Sequence, residues 1–246
     1  MGEFFERIHE KSELTFALVW IGLYCLLNAL GRPLSAIIGV EDSATMVING
    51  LLSLVLFLWI RKSGRMQYYG LCKSTVKSVR FGWYLPLVLF ASANLWMGVT
   101  WCTPLPDTLC YVLSMLCVGF LEEVIFRGFL FKALAKDSVK VAVVVSSVTF
   151  GIGHILNLFN GSGMDLLENL CQVMGAIACG FLFVTIFHRG GSLIPCIIAH
   201  GVNNAVYVFA DQSAMTDGKQ LLLCTAILAI VTIYALIIQK TVPIKK

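Results

Sequence analysis

Charge is scarce in this chain. Charged side chains make up 13% of its 246 residues, against 58% hydrophobic, and mean hydropathy is +0.85. A soluble domain carries about 25% charged residues, so this composition excludes an ordinary water-solvated fold. The net charge of +4 comes from basic residues placed between apolar runs, which argues against a nucleic-acid surface. The nine cysteines contain no CxxC and no regular spacing, so no disulfide or metal framework is indicated; only Cys102 and Cys110, flanking a predicted outer loop, stay open as a pair. HExxH is missing, which leaves a site-2-type zinc protease unsupported. GxSxG is missing near any intramembrane histidine, which argues against a serine nucleophile of that type. Residues 1–14 mix acids and bases with no cleavage site after them, so they are not a signal peptide. Glu6 stands where a myristoylation motif needs Ser or Thr. That stretch reads as a short amphipathic helix on the inner surface. Repeats, low-complexity tracts and soluble domains are absent, so residues 1–246 read as one integral membrane domain.

What is present is a series of apolar runs. Eight are near the length needed to cross a hydrocarbon core of roughly 30 Å. They cover residues 14–30, 44–60, 81–101, 108–131, 141–157, 169–187, 191–209 and 221–238. With the N-terminus inside, sixteen of the eighteen Lys and Arg residues fall on the inner side, and only Arg32 and Lys219 fall outside. The expected fold is therefore an all-α polytopic membrane protein with eight transmembrane helices and both termini cytoplasmic. Residues 68–80 read as an interfacial helix or a solvated basic loop. Pro86 and Asn94 suggest a kink or polar contact in the third span. Gln172 reads as interhelical glue, and residues 157–163 as a flexible outer loop.

The chain is organised around Leu121-Glu122-Glu123-Val124-Ile125-Phe126-Arg127-Gly128. Fourteen uncharged residues, Thr108 to Leu121, precede the two carboxylates. Ionisable groups inside such a run are expensive and functional by default. Glu123 and Arg127, four apart, share a helix face and can pair. Glu122 points about 100° away on a regular helix and is the carboxylate expected to do chemistry. The plainer reading is a bundle-stabilising Glu–Arg pair with a second Glu facing water. Gly128 is expected to allow close helix packing.

Two more polar sites lie inside spans. Phe150 and His154 share one face of the fifth, and His200 and Asn204 one face of the seventh. Glu122 lies sixteen residues before the inner turn near Ser138 and His154 sixteen after it, so an antiparallel hairpin sets them level. At about 1.5 Å per residue, Glu122 sits roughly 20 Å from the outer edge and around 10 Å from the inner one.

Glu-Glu-x-x-x-Arg, Phe-x-x-x-His and His-x-x-x-Asn, in this order on successive spans, resemble the CAAX prenyl protease and bacteriocin-processing (Abi) family of intramembrane enzymes. The resemblance runs from Glu122 to Asn204, within a core of about residues 108–209. It implies a glutamate-dependent intramembrane endopeptidase without a metal or other cofactor. Glu122 would activate a water, His154 would hold and polarise it, and His200 with Asn204 would stabilise the oxyanion. Glu123 and Arg127 would be the supporting pair that orients Glu122. Partners would be the lipid bilayer and a peptide or membrane-protein substrate, prenylated or not. A compact chain of this kind points to a bacterial plasma membrane. Oligomeric state has no signal in the sequence.

Three other readings stay open on the residues alone. Glu122, His154 and His200 could ligate zinc as His₂Glu in a metalloprotease. The chain could be a non-proteolytic partner-binding or bacteriocin-immunity protein that keeps the motifs for stability. A polar intramembrane cluster also suits a proton-coupled transporter.

Overall fold

A computed structural model describes residues 2–159 and 163–244; residues 160–162, at the centre of the outer loop expected at 157–163, lie outside this description. The described residues are helical, with one isolated antiparallel bridge between Val99 and Ala210. The helices are α1 (Gly2–Lys11), α2 (Glu13–Ile38), α3 (Ser43–Lys62), α4 (Leu85–Ala91), α5 (Leu105–Glu122), α6 (Phe131–Ala135), α7 (Val139–Gly153), α8 (Leu166–Gly190), α9 (Ile194–Val206) and α10 (Asp217–Thr241). Side-chain oxygens start several of them. Ser12, Ser138, Asp165 and Thr216 cap α2, α7, α8 and α10 by accepting from backbone N–H groups three residues on. Ser138 therefore lies at the turn between the fourth and fifth expected spans, where the sequence placed a turn.

Six helices are long and apolar enough to cross a membrane: Glu13–Ile38, Ser43–Lys62, Leu105–Ala135, Val139–Leu158, Leu166–Gly190 and Asp217–Thr241. They match six of the eight expected spans. The third and seventh expected spans are shorter apolar pieces, Ser78–Ala91 and Ile194–Phe209. These two run side by side. Their first ends meet where Thr75 N donates to Gly190 O at 2.9 Å and Leu193 N to Gly70 O at 2.8 Å. Their far ends meet at the Val99–Ala210 bridge. The third expected span is not one helix. Pro86 sits in the first turn of α4 and starts it rather than kinking it. Beyond α4 the backbone loosens, and its polar groups find partners on or just after α9. Asn203 Nδ2 donates to Phe90 O at 2.8 Å, Asn94 Nδ2 to Asn203 O at 2.8 Å, and Thr100 N to Phe209 O at 2.9 Å. Irregular backbone at this depth needs such partners.

Other expectations change. Residues 68–77 form turns rather than an interfacial helix, because they strap the α8–α9 corner. Ser192 Oγ donates to Cys72 O at 2.6 Å, and Ser74 Oγ to Gly190 O at 3.0 Å. Cys102 and Cys110 are both free thiols. Gln172 does serve as glue, accepting from Asn157 Nδ2 at 2.9 Å. The amphipathic α1 docks on the bundle. Phe5 stacks on Trp20 with ring centres 5.1 Å apart, Arg65 pairs with Glu6 at 2.6 Å, and the buried His9 meets Tyr69 Oη at 2.7 Å. Burial, and then the nearby Arg65 charge, hold the His9 imidazole below its ordinary range.

The helix expected to run regularly through the two glutamates changes pitch. Residues Glu123–Leu130 form a π-helix between α5 and α6, closed by Phe131 N–H donating to Phe126 O five residues back. All eight residues are buried, which encloses this segment on every side. Phe129 is packed by Phe16, Tyr69 and Trp59 with ring centres 4.8–6.0 Å away.

Close packing falls elsewhere than expected. A Cβ at Gly128 would make ordinary contacts, the nearest at 3.6 Å. A Cβ at Gly119 would lie 2.5 Å from Gly201 N and 2.6 Å from Gly201 Cα. Backbone touches backbone there, one turn before the glutamates and one residue after His200. Gly119→Ala should therefore destabilise the protein by about 1–3 kcal/mol through overpacking, while Gly128→Ala should melt like the parent. Thermal unfolding in matched detergent checks this, and equal melting of the two variants would remove the α5–α9 constraint.

Candidate active site

Two carboxylates at the end of α5 meet one imidazole from α9. His200 Nδ1 lies 2.9 Å from Glu123 Oε1, and His200 Nε2 lies 3.6 Å from Glu122 Oε2. An ionised carboxylate only accepts hydrogen bonds, so Nδ1 of His200 carries a proton and donates it. Glu123 is shared. Its Oε1 also faces Arg127 Nη1 at 3.1 Å, and the side chains of Glu123 and Arg127 are both 0% exposed. The expected pairing is thus present across the π-helix. The same Glu123 oxygen also contacts His200. The Glu123–Arg127 contact is a charge pair rather than an aligned hydrogen bond, because the guanidinium nitrogens and Glu123 Oε2 find no aligned acceptor or donor among the described residues.

Arg127 is held by aromatic faces instead. Its guanidinium lies 4.0 Å from the centre of the Phe150 ring and 5.7 Å from that of Phe183. A desolvated cation over an aromatic face gains about 2 kcal/mol. The Phe150 ring also lies 4.9 Å from the His154 ring and 5.8 Å from the His200 ring. Phe150 is therefore the common wall between both histidines and the arginine. His154 Nδ1 donates to Phe150 O at 3.0 Å, since a carbonyl can only accept. That fixes the ring and leaves Nε2 as the free nitrogen, with Glu122, His200 and Arg127 in electrostatic reach. Asn169 Nδ2 donates to His154 O at 2.9 Å and holds the residue where α7 ends.

The two asparagines of α9 divide their work. Asn203 is the clamp on the loosened third segment. The partly exposed Asn204 has a side-chain amide that makes no hydrogen bond among the described residues. It lies on the His200 face, four residues on. No group of three His, Cys, Asp or Glu side chains among the described residues is arranged to hold a metal ion.

One site residue escaped the sequence reading. Tyr24, in the middle of α2, donates its hydroxyl to Glu122 Oε1 at 2.7 Å from 98 residues away. A tyrosine within an apolar span gives no sequence signal of this, since nothing local pairs it with a carboxylate.

The comparisons bear on this cluster. Residues 104–206 match one protein-family model. It is that of the type II CAAX prenyl endopeptidases, Rce1-like. The match agrees with the resemblance carried by the three motifs, and the family is one of proteases. No curated protein and no solved structure matches the chain. Glu122, Glu123, Arg127, His154, His200 and Asn204 all fall within the matched residues 104–206, and Tyr24 falls outside them.

Two stability effects follow from the geometry of residues 104–206 and their neighbours. Arg127→Ala leaves Glu123 buried with too little positive charge and should cost about 3–5 kcal/mol. Asn203→Ala strips Phe90 O of its donor and should cost about 1–3 kcal/mol, whereas Asn204→Ala should melt like the parent. Detergent melting curves decide between them; an Asn203→Ala protein as stable as the parent would mean the clamp carries no load.

Proposed function

We propose that this protein is an intramembrane endopeptidase that hydrolyses a peptide bond with a water activated by Glu122. The observation that supports this best is the meeting of Glu122, His200 and His154, from three separate apolar helices, beside a fully buried Glu–Arg pair. A structural ion pair alone has no use for the second carboxylate or for two histidines whose Nδ1 positions are both fixed.

The chemistry follows from the atoms. The 3.6 Å between Glu122 Oε2 and His200 Nε2 is longer than a hydrogen bond, so the two can share a third oxygen. Glu122 takes a proton from water while the water oxygen bonds to the scissile carbonyl carbon. His154 Nε2 accepts from the same water and aims it. The carbonyl oxygen becomes an oxyanion, stabilised by Asn204 Nδ2 and by Nε2–H of doubly protonated His200. Glu122 then returns its proton to the amide nitrogen as the C–N bond breaks. The substrate in this reading is a peptide or membrane-protein segment, and the match to type II CAAX prenyl endopeptidases makes a prenylated C-terminal tail the first to try. The eight apolar segments, with both termini on the inner side of a cell membrane, form its frame.

Glu122→Gln should abolish cleavage while leaving insertion and melting unchanged, since the amide keeps the shape but takes no proton. The assay is cleavage of an internally quenched farnesylated CAAX peptide and of a pool of unmodified quenched peptides by pure protein in detergent. A parent that cleaves neither, or a Glu122→Gln protein that cleaves as the parent does, would overturn the proposal. Asn204→Ala should lower kcat by roughly 10²–10³ with KM little changed; an unaltered kcat would take Asn204 out of the oxyanion site.

A further inference from the structure

We infer that Tyr24 is a positioning residue for Glu122, fixing which of its two carboxylate oxygens meets the water. This rests on the reading of Glu122 as the general base. Three observations carry it. The Tyr24 hydroxyl is 2.7 Å from Oε1, a short hydrogen bond of the kind that carboxylates accept from hydroxyls. The other oxygen, Oε2, is the one turned toward His200. Glu122 also stands at the last turn of α5, just before the change of pitch, and it is the less enclosed of the two glutamates at 13% side-chain exposure against 0%. Glu123 is locked by two partners, Arg127 and His200. Glu122 has no such lock on its own helix, and without Tyr24 its carboxyl group could rotate about its terminal torsion, which is broad and roughly two-fold.

The geometry gives each oxygen one task. Oε1 is occupied by a donor that cannot leave with the substrate. Oε2 is left to take and return the proton beside His200. Tyr24 itself is held from below. Asn28 Nδ2 donates to Tyr24 O at 3.0 Å, and Trp20, one turn earlier on α2, is stacked under Phe5 of α1. The hydroxyl is thereby carried on a helix fixed to the rest of the bundle, as a positioning group must be. Because Tyr24 lies outside residues 104–206, the Rce1-like segment does not contain the whole of its own site.

The test uses four full-length proteins: parent, Tyr24→Phe, Glu122→Gln and the double variant. Each is assayed with whichever quenched peptide the parent cleaves, and melted in the same detergent. Tyr24→Phe keeps the ring and loses only the donor. It should lower kcat by about 10- to 100-fold, as expected for one hydrogen bond to a charged group. KM should stay within about twofold, because such a bond acts on the reacting oxygen and not on substrate binding. Its melting temperature should match the parent's, and the double variant should be no worse than Glu122→Gln, since the two act as a unit. Tyr24→Phe with parental kcat, while Glu122→Gln is inactive, would overturn the role of Tyr24 and leave the base in place. An active Glu122→Gln would overturn both. A loss of kcat accompanied by an equal rise in KM or by lowered melting would make Tyr24 a packing residue and overturn the positioning role.

Discussion

One oxygen atom governs the arrangement. Glu123 Oε1 faces Arg127 at 3.1 Å and His200 at 2.9 Å, inside a segment buried on every side. A carboxylate there is tolerable only if paired and hydrogen-bonded. The need for two partners ties three features together. It fixes Arg127 on the same helix, it fixes the rotation of α9 that presents His200, and it commits Nδ1 of His200 to Glu123. Once Nδ1 is committed to Glu123, Nε2 must face the other carboxylate. The position of the groups proposed to react is thus a consequence of satisfying a buried charge.

That consequence needs α5 and α9 to lie unusually close. Gly119 and Gly201 supply the room, with backbone against backbone. On the opposite side α7 approaches α8 in the same manner: a Cβ on Gly151 would lie 2.9 Å from Ile177 N. Gly151 follows Phe150, and Phe150 is the ring that touches Arg127, His154 and His200. Two small-residue contacts therefore set the depth of both walls of the site. Small residues are what let helices approach within a bilayer, where apolar side chains gain little over lipid.

The motifs were legible because the solvent made them so. Carboxylates, an arginine and two histidines inside apolar runs stand out against a background that cannot hydrate them. Equal spacing from Ser138 set Glu122 and His154 level, and the Glu122 charge lies within electrostatic reach of the His154 ring. Other features had no such contrast. Tyr24 looks like any amphipathic aromatic in a span, and its partner is 98 residues away. Gly119 looks like any glycine, while Gly128, beside the motif, drew attention it did not merit. The change of pitch after Glu122 leaves no trace in a pattern that is apolar all round, because periodicity is read from contrast between faces. The third segment misled for a related reason. Hydropathy reports that a stretch avoids water, and it says nothing of whether the backbone is satisfied within its own helix or by Asn203 and Phe209 on a neighbour.

The roles of the two asparagines on α9 follow from the same accounting. Asn203 spends both ends of its residue on the third segment, donating from its amide and accepting at its carbonyl. It joins the irregular segment to the helix that carries His200. Asn204, on the His200 face, has an amide that the protein itself does not engage among the described residues. A side-chain amide in a polar, partly enclosed site offers two donors and one acceptor. Where the protein consumes those groups, as at Asn203, the residue builds structure. Where it leaves them free on the face of an imidazole, the residue is available to a charge that develops only during the proposed reaction. A preorganised donor with no ground-state partner lowers a barrier most, because it gains a bond in the transition state and loses none to reach it.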